Sequence, residues 1–294
     1  MESLRVKVHV KHELGRALLG EFIGTLVLVL IGTSVVAQHI LPSPRLNDFI
    51  GVNVGFGLAI AFGVAVSAKL SGGHINPAVS LMFLSFRALS PVAFILYTLV
   101  QTAGAFVGAA LTYAVYHEAI ENFSPGVRLV AGGKASAGIW ASYPAGHLSL
   151  FGGLVDQIVA TAVFCFLIAH ITDKRNSYPS WVQPLLVGLS FVAIGNAFGF
   201  NCGYPCNPAR DFGPRLFTFF FYGGDVFTHK GWFWVPIVGP FIGALIGAWV
   251  YQFAIGFHTT KEEETRYVIV GKSEKTEERK PLTSTGEEVE MHTA

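Results

Sequence analysis

The chain has 294 residues, of which 52% are hydrophobic and only 13% charged, with 33 glycines and a mean hydropathy of +0.51. A soluble domain carries about a quarter charged residues, so no water-facing surface can be assembled from this composition, and a disordered chain, a collagen and a nucleic-acid binder are excluded with it. The formal net charge of +1 conceals a split: residues 1–260 hold 14 Lys/Arg against 10 Asp/Glu, and residues 261–294 hold 6 against 9.

A helix needs about 20 apolar residues to cross a hydrocarbon core about 30 Å thick. Six such runs are predicted in chain order, at about 17–38, 50–69, 91–115, 150–171, 182–200 and 232–257. Residues 1–16 form an N-terminal segment without the short apolar core and cleavage site of a leader, so Leu18 to Ile40 reads as an uncleaved first span. Arg5, Lys7, Lys11 and Arg16 precede that span, and Lys174 and Arg175 join spans four and five, which by the positive-inside bias puts both termini in the cytoplasm. The external loop 117–149 carries Asn122-Phe123-Ser124, a match to the N-glycosylation sequon. Cys165, Cys202 and Cys206 are too few for a disulfide framework and lack the partners of a zinc site, so they read as packed thiols. The tail, 258–294, mixes charges with Ser, Thr and Gly and is expected to be disordered and cytoplasmic.

The spans repeat. Glu21-x3-Thr25 matches Gln157-x3-Thr161, Asn76-Pro77-Ala78 matches Asn207-Pro208-Ala209, and Gly104-x3-Gly108 matches Gly239-x3-Gly243, all at offsets of 131 to 136. The halves, about 17–116 and 150–257, each hold three spans, and an odd number forces them into opposite orientations. Between spans two and three, and again between five and six, lies an apolar segment too short to cross: Pro77 to Phe86 and Pro208 to Tyr222. Asn is a favoured N-cap and Pro a favoured first helical residue, so each triplet starts a short helix. Two half-helices entering from opposite faces would meet near the midplane. The expected fold is therefore all-α: six transmembrane helices plus two re-entrant half-helices in a 3+3 inverted repeat.

The stretches Ser71-Gly-Gly-His-Ile-Asn-Pro-Ala-Val79 and Gly203-Tyr-Pro-Cys-Asn-Pro-Ala-Arg-Asp-Phe-Gly-Pro-Arg215 resemble the aquaporin family of water and small-solute channels, over residues 15 to 257. Asp211 directly after Arg210, Arg215 four residues beyond it, and Pro236-Ile237 where water-selective members carry two aromatics are similar to the aquaglyceroporin subgroup, and to animal plasma-membrane glycerol channels within it. The resemblance implies a passive channel for glycerol, water, urea and hydrogen peroxide that excludes ions and protons, in a homotetramer with one pore per subunit. It implies no enzyme activity, cofactor, metal or nucleic-acid partner; the surrounding partner is the bilayer. Asn76 and Asn207 would meet solute at the midplane, and Phe56, Gly195, Tyr204 and Arg210 would form the constriction, glycine leaving room for Tyr204 to lean in.

Alone, Phe56 and Tyr204 read equally well as core aromatics and Gly195 as a packing glycine. Arg210 does not, because an arginine beside a membrane-depth half-helix is costly and functional by default. Asp211 is placed to pair with Arg215 on one helical face. Glu21 and Gln157 are expected to bond the irregular backbone before Asn76 and Asn207, and His74 to fix its loop, Pro77, Ala78, Pro208 and Ala209 completing the two helix starts. A strict water channel is the nearest rival reading. A secondary transporter is a distant one, since the spans offer no coupling site beyond Glu21 and the membrane-edge Asp156. An enzyme would need a nucleophile with its base or paired carboxylates at membrane depth, and none is evident.

Overall fold

Helix starts are written into the chain where the flanking sequence is uniformly apolar: Asn76, Ser90 and Asn207 each cap a helix with the side chain, and each is followed by proline at the first turn. A computed structural model describes residues 1–42 and 44–260, and the tail expectation lies outside these residues apart from its first three. The helices are α1 (Glu2–Val8), α2 (Glu13–Ile40), α3 (Phe49–Ser71), α4 (Pro77–Ser85), α5 (Pro91–Phe123), α6 (Leu150–Thr172), α7 (Gln183–Cys202), α8 (Pro208–Tyr222), α9 (Asp225–Thr228) and α10 (Val235–Ala254). Among the described residues six are long and apolar enough to cross a membrane: α2, α3, α5, α6, α7 and α10. The described chain has helices and no strands.

The main difference from the sequence reading lies in the third span. It was expected to end near residue 115, but α5 continues to Phe123 and shortens the following connection. His117, Glu118, Glu121 and Asn122 lower the hydropathy of that stretch, but none is a helix-breaking Gly or Pro, so the helix outruns the apolar run. The first span likewise begins at Glu13, and the segment before it contains the short α1.

The two halves interlock. Helix α2 packs on α3 and α5, and α6 on α7 and α10; across the halves α3 meets α7, α4 lies against α10, and α8 lies against α5. The cross-half contact is close at one point. A Cβ on Gly188 would lie 2.4 Å from the Gly57 carbonyl oxygen, and one on Gly57 would lie 2.7 Å from the Gly188 carbonyl oxygen. These glycines are 131 residues apart, the spacing of Asn76 and Asn207, so this contact is its own mate under the twofold that relates the halves. Since both obstacles are backbone, Gly188→Ala is expected to cost about 1–3 kcal/mol, read as a lower thermal unfolding midpoint of the detergent-solubilised protein.

Candidate functional site

The two short helices bring their N-termini together. Asn76 caps α4 by accepting the Ala78 N–H at 2.8 Å, and Asn207 caps α8 by accepting those of Ala209 and Arg210 at 3.1 and 3.2 Å. Each amide then reaches into the other half: Asn76 Nδ2 donates to the Cys206 carbonyl at 2.9 Å, and Asn207 Nδ2 to the Ile75 carbonyl at 2.8 Å. The accepting residues stand at matched positions with φ of 43° and 44°. A β-branched residue such as Ile75 rarely adopts that left-handed conformation, and the reciprocal bonds help to hold it.

The loops behind these asparagines are braced unequally, for a reason visible in the sequence. Glu21 accepts the N–H groups of His74 at 2.9 Å and Ile75 at 2.6 Å, together with the Ser71 hydroxyl at 2.5 Å and Gln101 Nε2 at 2.7 Å. Gln157 Oε1 accepts a single backbone donor, Cys206 N–H, at 3.3 Å. The residue matching His74 is Pro205, which has no N–H, so one amide oxygen meets a need that in the first half takes both oxygens of a carboxylate. His74 is buried, its ring stacked on Phe83 at 4.5 Å and its Nδ1 3.2 Å from Ser80 Oγ.

Two cavities approach from opposite ends. The first, about 260 Å³, opens at the end of the bundle where α6 ends and α7 begins, past Thr172, Ser180 and Gln183, and is lined deeper in by His74, Asn76 and Asn207. The second, about 280 Å³, opens on the far side, past Val36, His39 and Val130. They share four wall residues: Phe56, Phe191, Pro205 and Arg210. Tyr204 lines the far cavity, and its ring stands 6.3 Å from that of Phe56 and 5.2 Å from that of Phe191. Three aromatic rings and one guanidinium thus gather where the two cavities share walls.

Gly195 lines neither cavity. A Cβ there would lie 2.7 Å from Tyr204 Cζ and 2.7 Å from Asn53 Oδ1, so its missing side chain is the slot that Tyr204 and Asn53 fill. A second such slot, at Gly32 on α2, admits Phe56: a Cβ would lie 2.3 Å from the ring. Arg210 is held from three directions. Its Nη1 donates to the Trp140 carbonyl at 2.9 Å, its guanidinium lies 4.9 Å from the Phe56 ring centre, and its backbone N–H is capped by Asn207. Asp211 is fully buried; one oxygen accepts Arg215 Nε and Nη2 at 3.0 and 2.8 Å, and the other accepts the N–H and hydroxyl of Ser142, both at 2.7 Å. Asp211 therefore pins to α8 the loop whose Trp140 carbonyl holds Arg210.

Sequence reasoning missed Asn53, Phe191 and Trp140, which lie outside the motifs and look like ordinary members of apolar or loop segments. It also placed Asn122 in a loop, whereas it sits exposed in the last turn of α5 with Ser124 buried, which disfavours modification. Cys165, Cys202 and Cys206 are all buried and unpaired; Cys202 lines the far cavity and Cys206 lines neither.

An inverted repeat of six membrane helices, with two half-helices meeting inside and two cavities that share walls there, has the architecture of a membrane channel. The chain belongs to the major intrinsic protein family, whose model matches residues 8–251. It is 39% identical to human Aquaporin-9, over 87% of this chain and 88% of that protein, and 43% identical to Aquaglyceroporin-2 of Rhizophagus irregularis, over 79% and 74%. It is 43% identical to Aquaporin-10 of the tardigrade Milnesium tardigradum, covering 84% of this chain but only 64% of that longer protein. Among solved structures it is similar to the aquaglyceroporin from Plasmodium falciparum, with a TM-score of 0.75 and 32% identity over 84% of this chain and 98% of that one.

Proposed function

We propose that the protein is a passive channel for glycerol, water and other small uncharged solutes, urea and hydrogen peroxide among them, and that it excludes ions and protons. The observation that carries this reading is the set of walls the two cavities share: Phe56 and Phe191, with Tyr204 beside them, offer apolar surface to the C–H side of a polyol, and Arg210, its guanidinium 4.9 Å from the Phe56 ring centre, offers donors to its hydroxyls. The relatives named aquaglyceroporin support the same class of solute. Because the N–H groups of His74 and Ile75 are committed to Glu21, this stretch of the cavity wall has no free backbone donors at those two positions.

Past the constriction a solute meets Asn76 and Asn207. Each amide nitrogen has two N–H bonds and one is spent on the opposite half, so the other is free for a passing oxygen. The positive ends of α4 and α8 converge there, and with Arg210 they repel a cation or hydronium that has nothing to replace its water shell. Charge exclusion is thus electrostatic, and a polar lumen does not by itself conduct protons. The basic residues before α2 and between α6 and α7 support cytoplasmic termini. In this reading the first cavity faces the cytoplasm and the second the exterior, in a homotetramer of the plasma membrane with no catalytic activity.

Purified protein in liposomes is expected to raise both osmotic water permeability and glycerol permeability, with glycerol flux linear in concentration and indifferent to pH or sodium gradients. Swelling without glycerol flux would establish a strict water channel, and gradient-driven accumulation would establish a transporter.

A further inference from the structure

The residue that fixes Tyr204 belongs to neither motif. Asn53 lies on α3 nearly one turn before Phe56, is fully buried, and lines neither cavity. Its Oδ1 accepts the phenolic hydroxyl of Tyr204, its Nδ2 donates to Asn196 Oδ1 at 2.9 Å, and Asn196 Nδ2 donates to the Val192 carbonyl one turn earlier in α7 at 3.0 Å. The relay runs from the Tyr204 hydroxyl through both amides and ends on helix backbone. Asn196 follows Gly195, the residue whose absent side chain makes room for both the Asn53 amide and the Tyr204 ring.

The other contacts of Tyr204 back its ring on one side but do not hold its hydroxyl. Its ring meets those of Phe49, Phe56 and Phe191 at 6.4, 6.3 and 5.2 Å, apolar contacts that tolerate rotation and offer nothing to its hydroxyl. We propose that Asn53 is a positioning residue that draws Tyr204 back against Gly195 and thereby sets the selectivity of the channel between glycerol and water. Once this acceptor is removed, the hydroxyl turns to the water in the lumen and the ring follows it, narrowing the opening. Glycerol, the wider solute, loses more than water. The inference rests on the reading of Phe56, Tyr204 and Arg210 as the constriction, and the glycerol flux of the wild type tests that reading separately from the ratios below.

The experiment compares glycerol and water permeability of the same proteoliposomes for wild type, Asn53→Leu, Tyr204→Phe and the double variant. Asn53→Leu is expected to lower the glycerol-to-water ratio about fivefold, the change in population that follows loss of one hydrogen bond, with water permeability within about twofold of wild type. In the double variant no hydroxyl is stranded, and the ratio is expected to return toward that of Tyr204→Phe alone. A merely structural role would lower both permeabilities together and would not be rescued by a second substitution. An unchanged ratio in water-conducting Asn53→Leu, or the same loss in the double variant, overturns the proposal. If Asn53→Leu alone conducts no water, the double variant decides: conduction of both solutes at the Tyr204→Phe ratio supports the proposal, and continued failure overturns it.

Discussion

Glu21→Leu is expected to abolish the folded channel, measured as loss of monodisperse detergent-solubilised protein and of water permeability in the vesicles that contain it. One fully buried carboxylate accepts four hydrogen bonds there, two of them from backbone N–H groups in a loop that has no helix or strand to satisfy them. Ser71 Oγ and Gln101 Nε2 keep other acceptors, the Ser67 carbonyl and Ser80 Oγ, but the two backbone N–H groups keep none. At about 1–3 kcal/mol for each buried donor left without a partner, their loss is a large part of the stability of an ordinary domain. Leucine also leaves Ile75 with φ of 43° and no bond to its N–H. Glu21→Gln keeps one oxygen and adds two donors where Gln101 and Ser71 already donate, so it is expected to fall between wild type and leucine. Gln157→Leu should be milder, because it strands one backbone N–H instead of two. Equal losses from Glu21→Leu and Gln157→Leu would refute the unequal bracing of the halves.

Gly195→His is expected to cut glycerol permeability by roughly two orders of magnitude, the factor set by an added barrier of about 3 kcal/mol, and to leave a measurable water flux. The first atom of any side chain at this position would stand 2.7 Å from both Asn53 Oδ1 and Tyr204 Cζ. Neither can retreat far, because Asn53 is held by Asn196, and Phe49 and Phe191 lie beside Tyr204. The ring must move toward Arg210 and close the space that a polyol needs. Gly195→Ala introduces the same first atom without an imidazole and should give a smaller loss in the same direction. Stopped-flow light scattering on one vesicle preparation separates the two fluxes, and undiminished glycerol passage through the histidine variant would show that the slot does not set solute width.

The architecture was legible because the physics that builds it leaves marks in one dimension: apolar runs of spanning length, an asparagine and a proline at the head of each short helix, and an offset that repeats. Where a helix continued past its apolar run, as α5 does through His117 and Glu121 to Phe123, hydropathy could not follow it. Parts of the site were legible for a similar reason. Asn76, Asn207, Arg210 and Asp211 sit beside helix starts, where a residue's position in the chain says what its backbone needs. Asn53, Phe191 and Trp140 act through contacts with residues many positions away, and nothing local to them announces a partner. Gly195 is expected from the resemblance to leave room for Tyr204, and a Cβ there would indeed lie 2.7 Å from Tyr204 Cζ, but nothing in the sequence marks Asn53 as sharing the same slot.

The reciprocal bonds between Asn76 and the Cys206 carbonyl, and between Asn207 and the Ile75 carbonyl, also bear on the order of assembly. Synthesis delivers the first half before the second, so the loop before Asn76 must wait, held by first-half partners such as Glu21, Tyr97 and Ser80, until residues more than 120 positions later enter the membrane. The centre of the pore is therefore the last part to be completed. A chain interrupted in the connection between α5 and α6 should yield two fragments, neither of which conducts until it finds the other.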